Sequence, residues 1–183
     1  MGQGAIFAVV GPSGVGKDTL MAAALAARPD LYLVRRVITR PASAGGEDFE
    51  AVSPDEFARR AAAGAFVLHW QAHGLSYGIP RRAVLAAAQG RTVLFNGSRA
   101  MLTQAAQVFD DLRVLHIRAT DAALAQRLQA RGRETAESIA ARLERARLPL
   151  PAGLKVVDID NSGALDQAVT AFLAALDTET EGA

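Results

Sequence analysis

Gly11-Pro12-Ser13-Gly14-Val15-Gly16-Lys17-Asp18-Thr19 follows the apolar run Ala5-Ile6-Phe7-Ala8-Val9-Val10 and opens an Ala- and Leu-rich stretch at 20–27. The order is strand, glycine loop, helix. The spacing G-x-x-x-x-G-K is the P-loop pattern: glycines let successive backbone N–H groups turn inward on a phosphate, and the lysine reaches the β and γ oxygens. A helix N-terminus behind the loop adds the positive end of a dipole. A glycine-rich hairpin would need a second strand after the loop, but Leu20-Met21-Ala22-Ala23-Ala24-Leu25 is helix-forming.

One letter departs from the pattern. Asp18 stands where Ser or Thr normally offers a hydroxyl to magnesium. Two readings stay open: a metal held through water by Asp18 or Thr19, or a first-turn acid favoured only by the helix dipole.

At 183 residues the chain has one domain's worth of length, enough to bury a core. Half of it is hydrophobic and its net charge is +1, which argues against a general nucleic-acid or membrane-surface binder. Eighteen of the twenty cations are arginines, Lys17 and Lys155 being the lysines. A GC-rich genome gives such a bias by itself, yet arginine is also the side chain suited to bidentate phosphate recognition. With no cysteine there is neither a disulfide nor a thiolate metal site. The chain starts in a strand with no signal-peptide pattern and has no run of membrane-spanning length, so it reads as cytoplasmic.

Residues 31–38 read as a second strand, delivering Thr39-Arg40-Pro41 to a loop. Residues 42–48 are irregular, and their acidic pair Glu47-Asp48 reads by default as solvated. Ser53-Pro54-Asp55-Glu56 starts a helix, with Ser53 as N-cap, that stops at Gly64. Residues 65–80 read as a small β-containing insert with a turn at His73-Gly74. Helices are expected at 81–89, after Ser98, at 122–130, at 136–148 and at 165–176, and strands at 92–96, 112–118 and 154–159. Strands alternating with helices imply a parallel sheet. The polar tail 178–183 is expected to fray.

A P-loop holds a nucleotide; a kinase also needs a second anion site and cations over the transferring group. Arg127, Arg131 and Arg133 cluster around Gly132. Arg127 and Arg131, four apart on a helix, repel by a few tenths of a kcal/mol, which an anion between them would relieve. The competing reading is a solvated helix end balanced by Glu134 and Glu137. Arg40 and Tyr77 are candidates for an acceptor's phosphate, although a lone tyrosine is more often packing. His69 and His73 have no third metal ligand in view, and His116, alternating with aliphatics, reads as a packed core histidine.

The order of P-loop, Thr39-Arg40-Pro41, an insert ending in Tyr77-Gly78 and an arginine lid resembles the guanylate-kinase-like fold over nearly the whole chain. That resemblance implies a three-layer α/β P-loop NTPase fold with a parallel central sheet. Its core would be 1–39, 81–126 and 148–177, its acceptor insert about 40–80 and its lid about 127–147. Guanylate kinases place a base-reading glutamate where this chain has Leu68 and an aspartate where it has Asn96. A leucine cannot accept the guanine N–H groups.

The runs 38–47, 69–75, Asn96-Gly97-Ser98-Arg99 and Arg131-Gly132-Arg133-Glu134 together resemble the ribose 1,5-bisphosphate phosphokinase (PhnN) family, in which Gly-Lys-Asp is itself usual. The resemblance implies ATP-dependent phosphorylation of the 1-phosphate of ribose 1,5-bisphosphate, with ATP and Mg2+ as cofactors and the sugar phosphate as the partner. Gly11, Pro12, Ser13, Gly14, Val15, Gly16, Lys17, Asp18 and Thr19 would hold the ATP phosphates, with Asp18 and Thr19 near magnesium and Asn161 near adenine. Arg40, Tyr77 and Arg99 would grip the acceptor, while Lys17, Arg131, Arg133 and Arg142 act on the transferring group. A homodimer stays open. The alternatives are a guanylate or other nucleoside monophosphate kinase and a catalytically silent binding module, the latter disfavoured by retention of Lys17, Arg131 and Arg133.

Overall fold

The structure, a computed structural model, describes residues 4–130, 132 and 135–180. Strand β1 (Ile6–Val10) is buried throughout and leads into α1 (Lys17–Ala27). The expected single strand at 31–38 is two short ones, β2 (Tyr32–Leu33) and β3 (Val37–Ile38). Beyond them come β4 (Glu50–Ala51), α2 (Pro54–Ala62), β5 (Phe66–Ala72), β6 (Leu75–Pro80) and α3 (Arg82–Ala88). The remainder is β7 (Val93–Asn96), α4 (Leu102–Val108), β8 (Leu112–Arg118), α5 (Asp121–Ala130), α6 (Ala136–Ala146), β9 (Lys155–Asp160) and α7 (Leu165–Thr180).

The main sheet has the order β2-β7-β1-β8-β9 and is parallel at every pairing. Alternate residues of β1 feed two separate cores, which is what makes the fold three layers deep. Ile6, Ala8 and Val10 join Ala83 and Ala87 of α3 and Leu102 and Ala105 of α4 on one face. Phe7 and Val9 join Leu20 of α1, Leu124 and Leu128 of α5, Ile139 of α6 and Phe172 of α7 on the other.

A second sheet, β4-β3-β6-β5, is built on the β5–β6 hairpin. Its two-residue turn, His73-Gly74, has positive φ at both positions (54° and 73°), the primed geometry that matches the twist of a hairpin. Leu68, Trp70 and Ile79 of that hairpin pack into the same core as Val10 and Phe95, so the two sheets share a wall beside the P-loop.

Local signals hold at several helix starts. Ser53 Oγ accepts the Glu56 N–H at 3.1 Å, with Pro54 at the first helical position, and Thr120 Oγ1 accepts the Ala123 N–H at 3.3 Å. Ser98, expected as a cap, makes no capping bond; a 3-10 turn, Arg99–Met101, precedes α4 instead. At the other end of the chain α7 continues to Thr180, past its expected end at 176.

Candidate active site

The P-loop leaves the central strand at the carboxyl edge of the parallel sheet, the edge where open α/β folds bind ligands. Gly16 is the N-cap of α1 with φ +99°, and a Cβ there would come within 2.6 Å of Asn161 Nδ2. Only glycine fits that position. Val15 is fully buried, and its carbonyl accepts from Asn161 Nδ2 at 2.8 Å and from Arg127 Nη1 at 3.2 Å. Arg127 Nη2 donates in turn to the Asn161 carbonyl at 2.6 Å. The sequence places Asn161 beside adenine and Arg127 in an anion-binding cluster. In the structure both side chains brace the loop from behind, and the Asn161 amide, 4 % exposed, is committed to Val15.

This brace carries a prediction. Asn161→Ala removes one buried hydrogen bond from the cradle, and a typical net bond contributes about 0.5–1.5 kcal/mol. The Kd for ATP is therefore expected to rise roughly twofold to tenfold by isothermal titration calorimetry. Unchanged affinity would show that the loop keeps its shape without Asn161.

Lys17 Nζ donates to the carbonyls of Gly11 at 2.9 Å and Pro12 at 3.3 Å, arching over its own loop. Gly11, Pro12, Ser13 and Lys17 form one wall of a cavity of about 580 Å³. Arg36, Trp70 and Tyr77 come from the second sheet, Asn96, Gly97, Ser98 and Arg99 from the end of β7, His116 from β8, and Arg142 and Arg145 from α6. Five of these residues are Lys or Arg and none is Asp or Glu, so the field inside favours anions.

Several expected residues meet here and others do not. Tyr77, Arg99 and Arg142 join Lys17 in the lining. Arg40 does not: its Nη2 donates to the Gly45 carbonyl at 3.1 Å, and its guanidinium lies 4.3 Å from the Phe49 ring centroid. Arg36 stands in the cavity instead. It is 6 % exposed, pairs with Glu47 through Nε (2.9 Å) and Nη2, and lies 5.0 Å from the Tyr77 ring centroid. Of the acidic pair read as solvated, Glu47 is instead half-buried against Arg36, while Asp48 stays exposed, pairing at the surface with Arg35 at 2.9 Å.

Arg99 Nη1 donates to the Arg145 carbonyl at 2.8 Å, tying the end of β7 to the C-terminal turn of α6, and burial lowers the pKa of its guanidinium. His116, read as core, lines the cavity with Nδ1 2.8 Å from Asp158 Oδ1. The β8–β9 register, which sets His116 opposite Asp158, is the signal that finds it. Arg131 and Arg133 lie outside the described residues.

Asp18 is exposed in the first turn of α1, and its Oδ1 accepts from Asn96 Nδ2 at 2.9 Å. An oriented, solvent-facing carboxylate beside a phosphate loop suits magnesium, which is held by one or two carboxylates plus substrate phosphates. Thr19 is exposed as well, and neither Asp18 nor Thr19 is in the cavity lining.

A phosphate cradle on the central strand, facing arginines from a small second sheet and from α6, defines a P-loop phosphotransferase. The family profile described as guanylate kinase matches residues 3–175. The solved structure of guanylate kinase from Anaplasma phagocytophilum superposes with a TM-score of 0.70 at 19% identity, covering 98% of this chain and 87% of that one, which supports the fold. Among curated relatives, Ribose 1,5-bisphosphate phosphokinase PhnN of Ruegeria sp. (strain TM1040) is 51% identical, covering 97% of this chain and 94% of the relative. The protein of the same name from Rhizobium etli (strain CIAT 652) is 45% identical over 96% and 90%. The chain belongs to the ribose 1,5-bisphosphate phosphokinase PhnN family, a branch of the guanylate-kinase family.

Proposed function

We propose that this chain transfers the γ-phosphoryl group of ATP to the 1-phosphate of ribose 1,5-bisphosphate, giving 5-phosphoribosyl 1-diphosphate and ADP. The observation that carries the reading is the cavity itself, which joins the P-loop and has five Lys or Arg and no Asp or Glu among its described lining residues. The position where guanylate kinases read the base is Leu68, 1 % exposed and sealed in the core. A pocket that keeps phosphate grips and lacks a base reader suits a sugar phosphate.

In this reading residues 40–80 form the acceptor side and 127–147 the lid. Backbone N–H groups of Ser13 to Lys17 hold the β and γ phosphates, with Lys17 between them. Arg36 takes over from Arg40 as the acceptor grip, together with Tyr77. Arg142 and Arg145, with Arg131 and Arg133 from the same lid, cover the equatorial oxygens of the transferring group, where charge accumulates. An oxygen of the acceptor's 1-phosphate forms the new bond to Pγ as the bond from Pγ to the β,γ-bridging oxygen breaks, and ADP leaves with that electron pair. The acceptor oxygen is already anionic, so no residue need act as a general base.

Magnesium, when bound with ATP, neutralises charge on the β and γ phosphates. In this reading Asp18 would hold it, supported by the Asn96 amide that donates to its carboxylate. Asp18→Asn is expected to weaken magnesium binding to the ADP complex roughly tenfold, about 1.4 kcal/mol, read directly by titration calorimetry as well as by the magnesium dependence of turnover. Equal affinity would leave Asp18 as a first-turn acid only.

Steady-state assays with ribose 1,5-bisphosphate, GMP and AMP as competing acceptors test the function. The sugar bisphosphate should exceed both nucleotides in kcat/KM by on the order of 10⁴, the discrimination of a site whose polar groups, here the acceptor-side arginines, go unpaired by a ligand lacking the second phosphate. Robust GMP turnover would overturn the proposal.

A further inference from the structure

Trp70 has a role in the cavity that its place in an apolar core does not account for. It is the only tryptophan in the chain, 7 % exposed, and lines the cavity beside Tyr77 and Arg36. It sits opposite Tyr77 across the β5–β6 hairpin, ring centroids 5.4 Å apart and planes 9° apart. One ring face is thus taken by Tyr77. The polar point of the indole is the Nε1–H, a donor with no acceptor capacity.

Among the described residues Nε1 has no hydrogen-bond partner, although it is shut off from solvent. A buried donor without an acceptor is costly, and such groups normally find one. The same holds for Ser98 Oγ and Arg99 Nε, and both residues line this cavity. All three atoms belong to residues lining one cavity that carries five Lys or Arg side chains, and an oxygen-rich ligand settling there would supply acceptors.

Position assigns the ligand to the acceptor side. Trp70 is two residues beyond Leu68 on the same face of β5, in the second sheet rather than the P-loop wall. Glu47 occupies the Nε–Nη2 edge of Arg36, whose guanidinium lies 5.9 Å from the indole centroid, so a fixed cation stands next to the orphaned donor.

We propose that Trp70 is a substrate-binding residue whose indole N–H donates to an oxygen of the sugar bisphosphate as it settles between Arg36 and the Ser98–Arg99 turn. The inference rests on the acceptor reading given above and adds the group that recognises it.

The single tryptophan makes the test direct. Titrating the ATP-free protein with ribose 1,5-bisphosphate should give a saturable change in indole emission, whereas ATP alone should leave it nearly unmoved. Trp70→Phe keeps the stack on Tyr77 and deletes the donor. Its KM for the sugar bisphosphate should rise on the order of tenfold to a hundredfold, the range for a lost bond to a charged group, with kcat and the KM for ATP held within about twofold of wild type.

Emission that does not respond to saturating sugar bisphosphate would overturn the proposal, as would an unchanged KM in the variant, while wild-type turnover left the functional reading standing. Should the variant fail to fold, the wild-type titration decides alone. A wild-type protein that makes no sugar diphosphate would remove the functional reading and this inference together.

Discussion

Lys17→Ala is expected to leave a folded protein whose turnover has dropped on the order of 10³-fold, the scale for removing a preorganised electrostatic contact from a transition state. The Nζ makes its hydrogen bonds to Gly11 and Pro12, within the loop it crosses. Those carbonyl partners are local, and exchanging them for phosphate oxygens places a full charge where negative charge grows during transfer. The other cations described in the cavity come from other elements, Arg36 from the second sheet, Arg99 from the turn after β7, and Arg142 and Arg145 from α6. Lys17→Arg should recover little, because a planar fork does not replace a compact ammonium in a tight cradle. The check is kcat and KM for ATP alongside a thermal melt. Unchanged turnover would count against a catalytic P-loop.

Arg36→Ala should produce the largest loss of stability. Arg36 and Glu47 have side chains only 7% and 14% exposed, and removing one partner strands the other. Breaking a buried pair in this way costs about 3–5 kcal/mol. For a chain of this size each kcal/mol lowers Tm by roughly 2–4 °C, so a drop of about 6–20 °C is expected. The double variant Arg36→Ala, Glu47→Ala should melt above the single one, since it leaves no buried charge without a partner. At temperatures where Arg36→Ala remains folded, its KM for the acceptor should rise while the Kd for ATP holds. A Tm shift below about 2 °C would mean that the pair is effectively solvated.

The P-loop was legible because its function fixes its spacing: a lysine one residue after a glycine and a helix behind them are local necessities. The cap at Ser53 and the turn at His73-Gly74 were legible for the same reason, each set by chemistry within a few residues. What escaped the sequence depends on distant partners. Residues 31–38 contain no Gly or Pro to mark a break, yet Tyr32 and Leu33 pair with β7 in one sheet while Val37 and Ile38 pair with β4 and β6 in the other. That division follows from which strands lie alongside.

Arg36 lies within the run read as one strand and Arg40 in the loop after it, and only the folded path of residues 41–47 turns Glu47 back onto Arg36. The brace formed by Arg127 and Asn161 joins residues more than a hundred positions from Val15, with no local pattern to announce it. His116 alternated with aliphatics as a core residue would, and its partner lies on β9. Leu68 and Asn96 could be read as departures from the guanylate-kinase pattern, but Asn96 meets Asp18 only because the fold brings the end of β7 beside the first turn of α1.

The most direct measurement is phosphorus NMR of the products formed from ATP and ribose 1,5-bisphosphate. The predicted spectrum gains the two coupled resonances of a sugar diphosphate as the anomeric monophosphate signal falls, with ADP appearing in equal amount and the 5-phosphate resonance unchanged. ATP hydrolysis without those coupled resonances, or phosphoryl transfer to GMP in preference to the sugar, would contradict the account.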